Sequence, residues 1–167
     1  MDKGRKLLQD MQQGRLSPKE AIDSCLELVN ADPREANLEI LVNSLFYAMI
    51  EGELLYAAIH EDGPISAAKL IVPKTPDATF YMQTVVMPNG YKVIVIFTGP
   101  ESLKLVKQTR YLEIGADELF AYIADLEVEG ILLNPGPNNY FVPMDIIKAL
   151  LEQWVEYHRL LEKKARK

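Results

Sequence analysis

The sequence predicts a single α+β domain built on a mixed β-sheet, with an N-terminal helical segment and a long C-terminal helix. Three observations predict it. Amphipathic, capped helix signals fill residues 2 to 51. An Asn89-Gly90 turn joins two apolar arms, which is hairpin chemistry. Beyond the hairpin, helix and strand signals alternate to the end, a pattern that places helices against a sheet. Residues 1–167 are therefore expected to form one domain, a helical N-terminal extension over 1–51 followed by an α/β body over 52–167.

The helices come first. Ser17-Pro18-Lys19-Glu20 offers a capping serine, a proline at the first helical position and a glutamate three residues after the cap. Ala21, Ile22, Cys25, Leu26 and Val29 follow at three- and four-residue spacing, which puts Cys25 on a buried stripe as a packed thiol. The same signal returns at Asp32-Pro33-Arg34-Glu35, ahead of Leu38, Leu41, Val42, Leu45, Phe46 and Met49, and Gly52 ends that run. After Gly52 the period changes. Leu54 to Ile59 is short, apolar and bounded by Gly52 and Gly63-Pro64, so it predicts a strand. Phe80 to Met87 and Tyr91 to Phe97 then flank Pro88-Asn89-Gly90, and a type I′ turn is expected at Asn-Gly. Five consecutive apolar residues, Val93 to Phe97, imply a central strand covered on both faces. Pro100-Glu101-Ser102-Leu103 opens a short helix, Tyr111 to Ile114 a strand, and Ala116 to Asp125 a helix with Leu119, Phe120 and Ile123 on one side. The last helix, Met144 to about Lys164, carries Ile147, Leu150, Leu151, Trp154, Val155, His158 and Leu161 along one face.

Between those last two helices stands the most structured loop of the chain. Gly130-Ile131-Leu132-Leu133 reads as a buried strand that Asn134-Pro135 must end, because a residue before proline is pushed towards extended or turn conformations. Gly136-Pro137-Asn138-Asn139 is turn chemistry, Tyr140-Phe141-Val142 a brief returning strand, and Pro143 suits the entry to a helix. The Phe97-Thr98 strand end, the helix-strand-helix step and the Gly130 to Gly136 corner together resemble the bacterial SseB N-terminal-domain family over about residues 36 to 151. Where that family has serine-rich residues after the corner, this chain has Pro137-Asn138-Asn139-Tyr140. The resemblance implies no catalytic residue set, and no cofactor is expected.

Composition bounds the partners. A chain of 167 residues, 49% hydrophobic and 25% charged with mean hydropathy -0.04, is folded and large enough for its own core. Its net charge of -6 and pI near 5.0 set a field that repels phosphate backbones and anionic lipid, which argues against nucleic acid and membrane partners. The basic tail Lys163, Lys164, Arg166, Lys167 suits the end of a helix. A single cysteine forms no intrachain disulfide, and no secretory leader or apolar stretch of about 18 residues is evident, so a cytoplasmic protein is expected.

Reactive chemistry is sparse. The two histidines are His60, beside Glu61-Asp62 at a strand end, and His158 on an apolar helix stripe. No third ligand stands at HxH or HExxH spacing to make a metal site of His60, and His158 reads as a packed imidazole instead of a catalytic base. No GxGxxG or phosphate-cradling loop is present. The sequence therefore points away from an enzyme, with no catalytic, cofactor-binding or metal residues assigned. It points instead to an interaction or regulatory module for a protein partner, with Asn134, Pro135, Gly136, Asn138, Asn139 and Tyr140 as a candidate corner. The alternative is a small-ligand sensor or enzyme with a cleft near Asn134, Thr98 and Asp117. Homodimerisation through the first helices or the Trp154 face is compatible with either.

Overall fold

The computed structural model describes residues 2–59, 68–71, 79–107 and 111–165. His60-Glu61-Asp62 and the Gly63-Pro64 boundary lie outside the described residues. Three helices come first: α1 (Lys3–Gln12), α2 (Pro18–Ala31) and α3 (Glu35–Glu51). Ser17 and Glu20 form the expected reciprocal cap, Glu20 N–H donating to Ser17 Oγ at 3.1 Å and Ser17 N–H to Glu20 Oε1 at 3.2 Å. The second cap differs from expectation. Asp32 serves as the end of α2, its N–H bonded to the Leu28 carbonyl, and α3 begins two residues after Pro33 with no side-chain cap. A chain that must reverse between two packed helices uses its proline in the connection instead of the first helical turn. Gly52 ends α3 at φ +65°, the left-handed conformation that glycine adopts without a Cβ penalty.

The body follows: β1 (Leu54–Ala58), β2 (Ala68–Ile71), β3 (Thr79–Met82), β4 (Thr84–Val86), β5 (Lys92–Phe97), α4 (Pro100–Leu105), β6 (Tyr111–Gly115), α5 (Ala116–Ala124), β7 (Gly130–Leu133), β8 (Tyr140–Pro143) and α6 (Met144–Ala165). The mixed sheet runs β6-β1-β5-β7-β8, with β4 pairing the first half of β5 and β1 the second. Among the described strands only β5 and β7 pair in parallel, in register Val93 to Gly130 through Ile96 to Leu133. The first arm of the hairpin is divided at Gln83: β3 pairs β2 in a separate two-stranded sheet, and β4 pairs β5. The connection is also longer than a type I′ turn. Gly90 N–H closes on the Met87 carbonyl, and of the turn residues only Gly90 has positive φ, at +89°. Pro88 fixes the first turn residue at negative φ, so the positive φ falls on the glycine after the turn.

The apolar β5 explains the layering. Ile94 and Ile96 are fully buried in the main core, together with Ile22 and Leu26 of α2, Leu41 and Leu45 of α3, Phe120 of α5 and Ile147 of α6. Val95 and Phe97 point the other way and pack with Ala58 and with Leu103 of α4. Helices therefore cover both faces at the carboxyl end of β5, each fully buried Leu, Ile or Phe contributing about 1.5–3 kcal/mol of transfer free energy. The stripe along α6 is shorter than its sequence suggests. Ile147 and Leu150 are buried and Trp154 and His158 half-buried, whereas Val155 and Leu161 are exposed. A helix of 22 residues is about 33 Å long, and its C-terminal turns run past the described body.

Candidate functional site

The site is built by the corner between β7 and β8. Gly130 opens it, because its antiparallel neighbour β8 lies so close that a Cβ there would be 2.2 Å from the Val142 carbonyl oxygen and 3.0 Å from Pro143 Cα. Leu133 then pairs with Tyr140, and the chain turns at Asn134. Asn134 has φ +47°, left-handed where the proline rule predicts an extended or turn conformation. Asparagine tolerates that region better than other residues with a Cβ, and here its side chain is fixed on three atoms. Asn134 Oδ1 accepts from Thr98 N–H at 2.9 Å. Asn134 Nδ2 donates to Thr98 Oγ1 at 2.9 Å and lies 3.4 Å from Asp23 Oδ1. Thr98 Oγ1 in turn donates to Asp23 Oδ1. The carboxyl ends of the two parallel strands are thus tied to each other and to the middle of α2.

Around this brace lies an open groove of about 600 Å³, at the crevice position that ligands favour in sheets with parallel strands. One wall is α2, with Lys19, Asp23 and Glu27; the opposite wall is α4, with Glu101, Lys104 and Leu105; Pro135, Pro137 and Asn138 form the end. Asp23 stands at the solvent edge with its Oδ1 turned onto the brace. Desolvation there holds its carboxyl above the usual 3.8, and the Glu101 charge adds to the rise. The hydrogen bonds from Thr98 and Asn134 and the Lys19 charge pull it back in part. A hydroxyl bonded to a carboxylate has the outline of a nucleophile and base, but Thr98 is 1% exposed and its Oγ1 both donates and accepts within the brace. The arrangement suits binding and positioning.

The structure brings Thr98 and Asn134 into direct contact and places Pro135 and Asn138 on the same groove. Gly136 and Asn139 are exposed on the outer side of the turn, where Asn139 Nδ2 donates to the Gly136 carbonyl at 2.8 Å and its own carbonyl accepts from Asn30 at 3.1 Å. Tyr140 is half-buried against the main core at the start of β8, and burial pushes its phenol up. Asp117 is in the first turn of α5, after the edge strand β6, and does not line the groove. Asp23 and Lys19 are the residues sequence reasoning missed. They belong to the solvent side of an amphipathic helix, where charged residues are ordinary, and only the fold sets Asp23 on residues 75 and 111 positions away. His158 packs against Trp154, ring centroids 4.3 Å apart, away from this groove. Among the described residues no group of three His, Cys, Asp or Glu is placed to hold a metal ion, and no helix is long and apolar enough to cross a membrane.

The family model of the SseB protein N-terminal domain matches residues 19–149. The chain belongs to this SseB family. The matched span starts earlier than the corner motifs alone suggest: it takes in α2, and with it Lys19 and Asp23, so every member of the brace falls inside the SseB domain. The SseB match stops within α6, before Trp154 and the exposed end of that helix. No curated protein and no solved structure matches the chain.

Proposed function

We propose that this SseB-family domain is a non-enzymatic interaction or regulatory module whose binding face is the groove over the carboxyl ends of β5 and β7. The observation that carries the reading is the brace itself. Asp23, Thr98 and Asn134 spend their polar groups on one another to make a rigid floor, while Leu105, Pro135, Pro137 and Asn138 are presented around it. Rigid floors with mixed apolar and polar rims suit recognition, because little conformational entropy is lost when a partner docks. The test places a photoreactive phenylalanine analogue at Asn138 in living cells, with Glu118 on α5 as the control position. A discrete adduct from position 138 that is absent from position 118 and lost in Leu105→Glu supports the module. No adduct, or the same adducts from both positions, overturns it.

A second reading is a small-ligand sensor, favoured by the groove's size, which lies within the about 300–1,000 Å³ typical of ligand sites, and by the carboxyl of Asp23 held above its usual range at the groove edge. It expects saturable thermal stabilisation by a member of an amino acid, nucleotide and metal panel, lost in Asp23→Ala. A flat response across the panel removes it.

A further inference from the structure

The C-terminal turns of α6 leave an apolar strip on which Leu160 and Leu161 are exposed and Tyr157 is half-buried, its ring edge-on to Phe46 of α3 at 6.3 Å. Leu160 and Leu161 are 48% and 44% exposed. They line a shallow groove with Tyr157, Lys163 and Lys164. Tyr157 and Leu160 also border a second groove on the neighbouring flank, beside Glu152 and Glu156. The two grooves share Tyr157 and Leu160, so they form one strip with carboxylates towards its N-terminal end and ammonium groups towards its C-terminal end.

That polarity selects the occupant. Glu156 and Lys163 are seven residues apart, close to two helical turns, and so lie on the same flank. We propose that the strip is self-complementary: two copies of the chain pack antiparallel through α6 about a two-fold axis between His158 and Arg159. The acidic end of each strip, Glu152 and Glu156, then meets the partner's Lys163 and Lys164, and Tyr157, Leu160 and Leu161 fill the seam. A two-fold interface uses the same patch twice, which is what a strip with opposite charges at its two ends provides. A parallel pair would instead set the lysines against lysines and the glutamates against glutamates, which is repulsive. A lipid surface is the poorer occupant, because Glu152, Glu156 and Glu162 interrupt the basic face that anionic headgroups attract. The Arg159 guanidinium is bonded to both Glu156 oxygens of its own helix, at 2.6 and 2.9 Å, and offsets part of that charge, so Glu152 supplies the uncompensated carboxylate of the acidic end. One short helix pair makes a small interface, so the association is reversible and depends on concentration and salt.

Sedimentation equilibrium of the full chain over a concentration series tests this. The wild type is expected to show a monomer-dimer equilibrium that weakens with salt. The variant Leu160→Glu with Leu161→Glu is expected to be monomeric, with an unchanged circular dichroism spectrum because both side chains face solvent. Glu152→Lys with Glu156→Lys, and Lys163→Glu with Lys164→Glu, should each dimerise at least about tenfold more weakly, a change of about 1.4 kcal/mol. An equimolar mixture of these two variants should recover wild-type association. The proposal is overturned by a wild type that stays monomeric, by a dimer that survives the Leu160 and Leu161 changes, or by charge variants that associate as well alone as the wild type does. Binding to anionic vesicles without self-association would give the strip to lipid instead and equally overturn it.

Discussion

Replacing Asn134 by alanine removes the centre of the brace, and the cost divides into two parts. The first is the Thr98 N–H, which loses its acceptor in a residue 1% exposed to water. An unsatisfied buried donor costs about 1–3 kcal/mol. The second is backbone conformation: Asn134 sits at φ +47°, where alanine is disfavoured by about 1–2 kcal/mol. Together they predict a loss of about 2–5 kcal/mol for Asn134→Ala, a large share of the stability of a domain this size. Asn134→Gly separates the parts, because it keeps the left-handed backbone free and loses only the hydrogen bonds. It should fall about 1 kcal/mol or more short of the alanine loss. Asn134→Asp keeps an acceptor for Thr98 but sets a second carboxylate beside Asp23, so its deficit should shrink as the pH is lowered. Urea unfolding of the four proteins at neutral pH gives each value directly. If alanine and glycine are equal, and both lie within about 0.5 kcal/mol of wild type, the surface-substitution range, then the brace does not hold the corner.

Two further expectations rest on neighbouring geometry. Gly130→Ala forces a Cβ to within 2.2 Å of the Val142 carbonyl and 3.0 Å of Pro143 Cα, both backbone atoms that move only if β8 moves; urea unfolding should register a loss of about 1–3 kcal/mol, and a neutral substitution would mean that β7 and β8 do not approach this closely at Gly130. Asp23 titrates above its ordinary 3.8 in the folded chain, so the native state holds its proton more tightly than the unfolded chain does. Its contribution to stability is therefore present in full below 3.8 and lost as pH rises through the raised value. The stability of wild type minus that of Asp23→Asn should consequently fall from acid towards neutral pH and then level off; a difference that rises with pH contradicts the desolvated placement.

Much of the architecture was legible because it is written in local chemistry. The Ser17 to Glu20 cap, the left-handed stop at Gly52, the five apolar residues of β5 and the break at Asn134-Pro135 each restrict the chain within a few residues of themselves. The errors came where a local preference met a tertiary demand. Asp32-Pro33 has the residues of a helix start, yet it lies in the reversal between α2 and α3. The first hairpin arm has strand chemistry throughout, yet β3 and β4 part at Gln83 to serve two sheets. Val155 and Leu161 keep the helical period of a buried stripe in turns that extend past the body, and periodicity carries no information on where the packing partner ends.

The candidate site shows the same division more sharply. By itself the sequence determined that the chain would fold as α+β, that an apolar strand would be covered on both faces, and that a corner would follow β7, because backbone preferences and hydrophobic period act over short separations. Only the tertiary structure decided that Asp23 of a solvent-facing helix side would meet Thr98 and Asn134, and that a groove would open where their strands end. Such contacts join residues 36 to 111 positions apart, and they exist only once the core has fixed α2, β5 and β7 against one another.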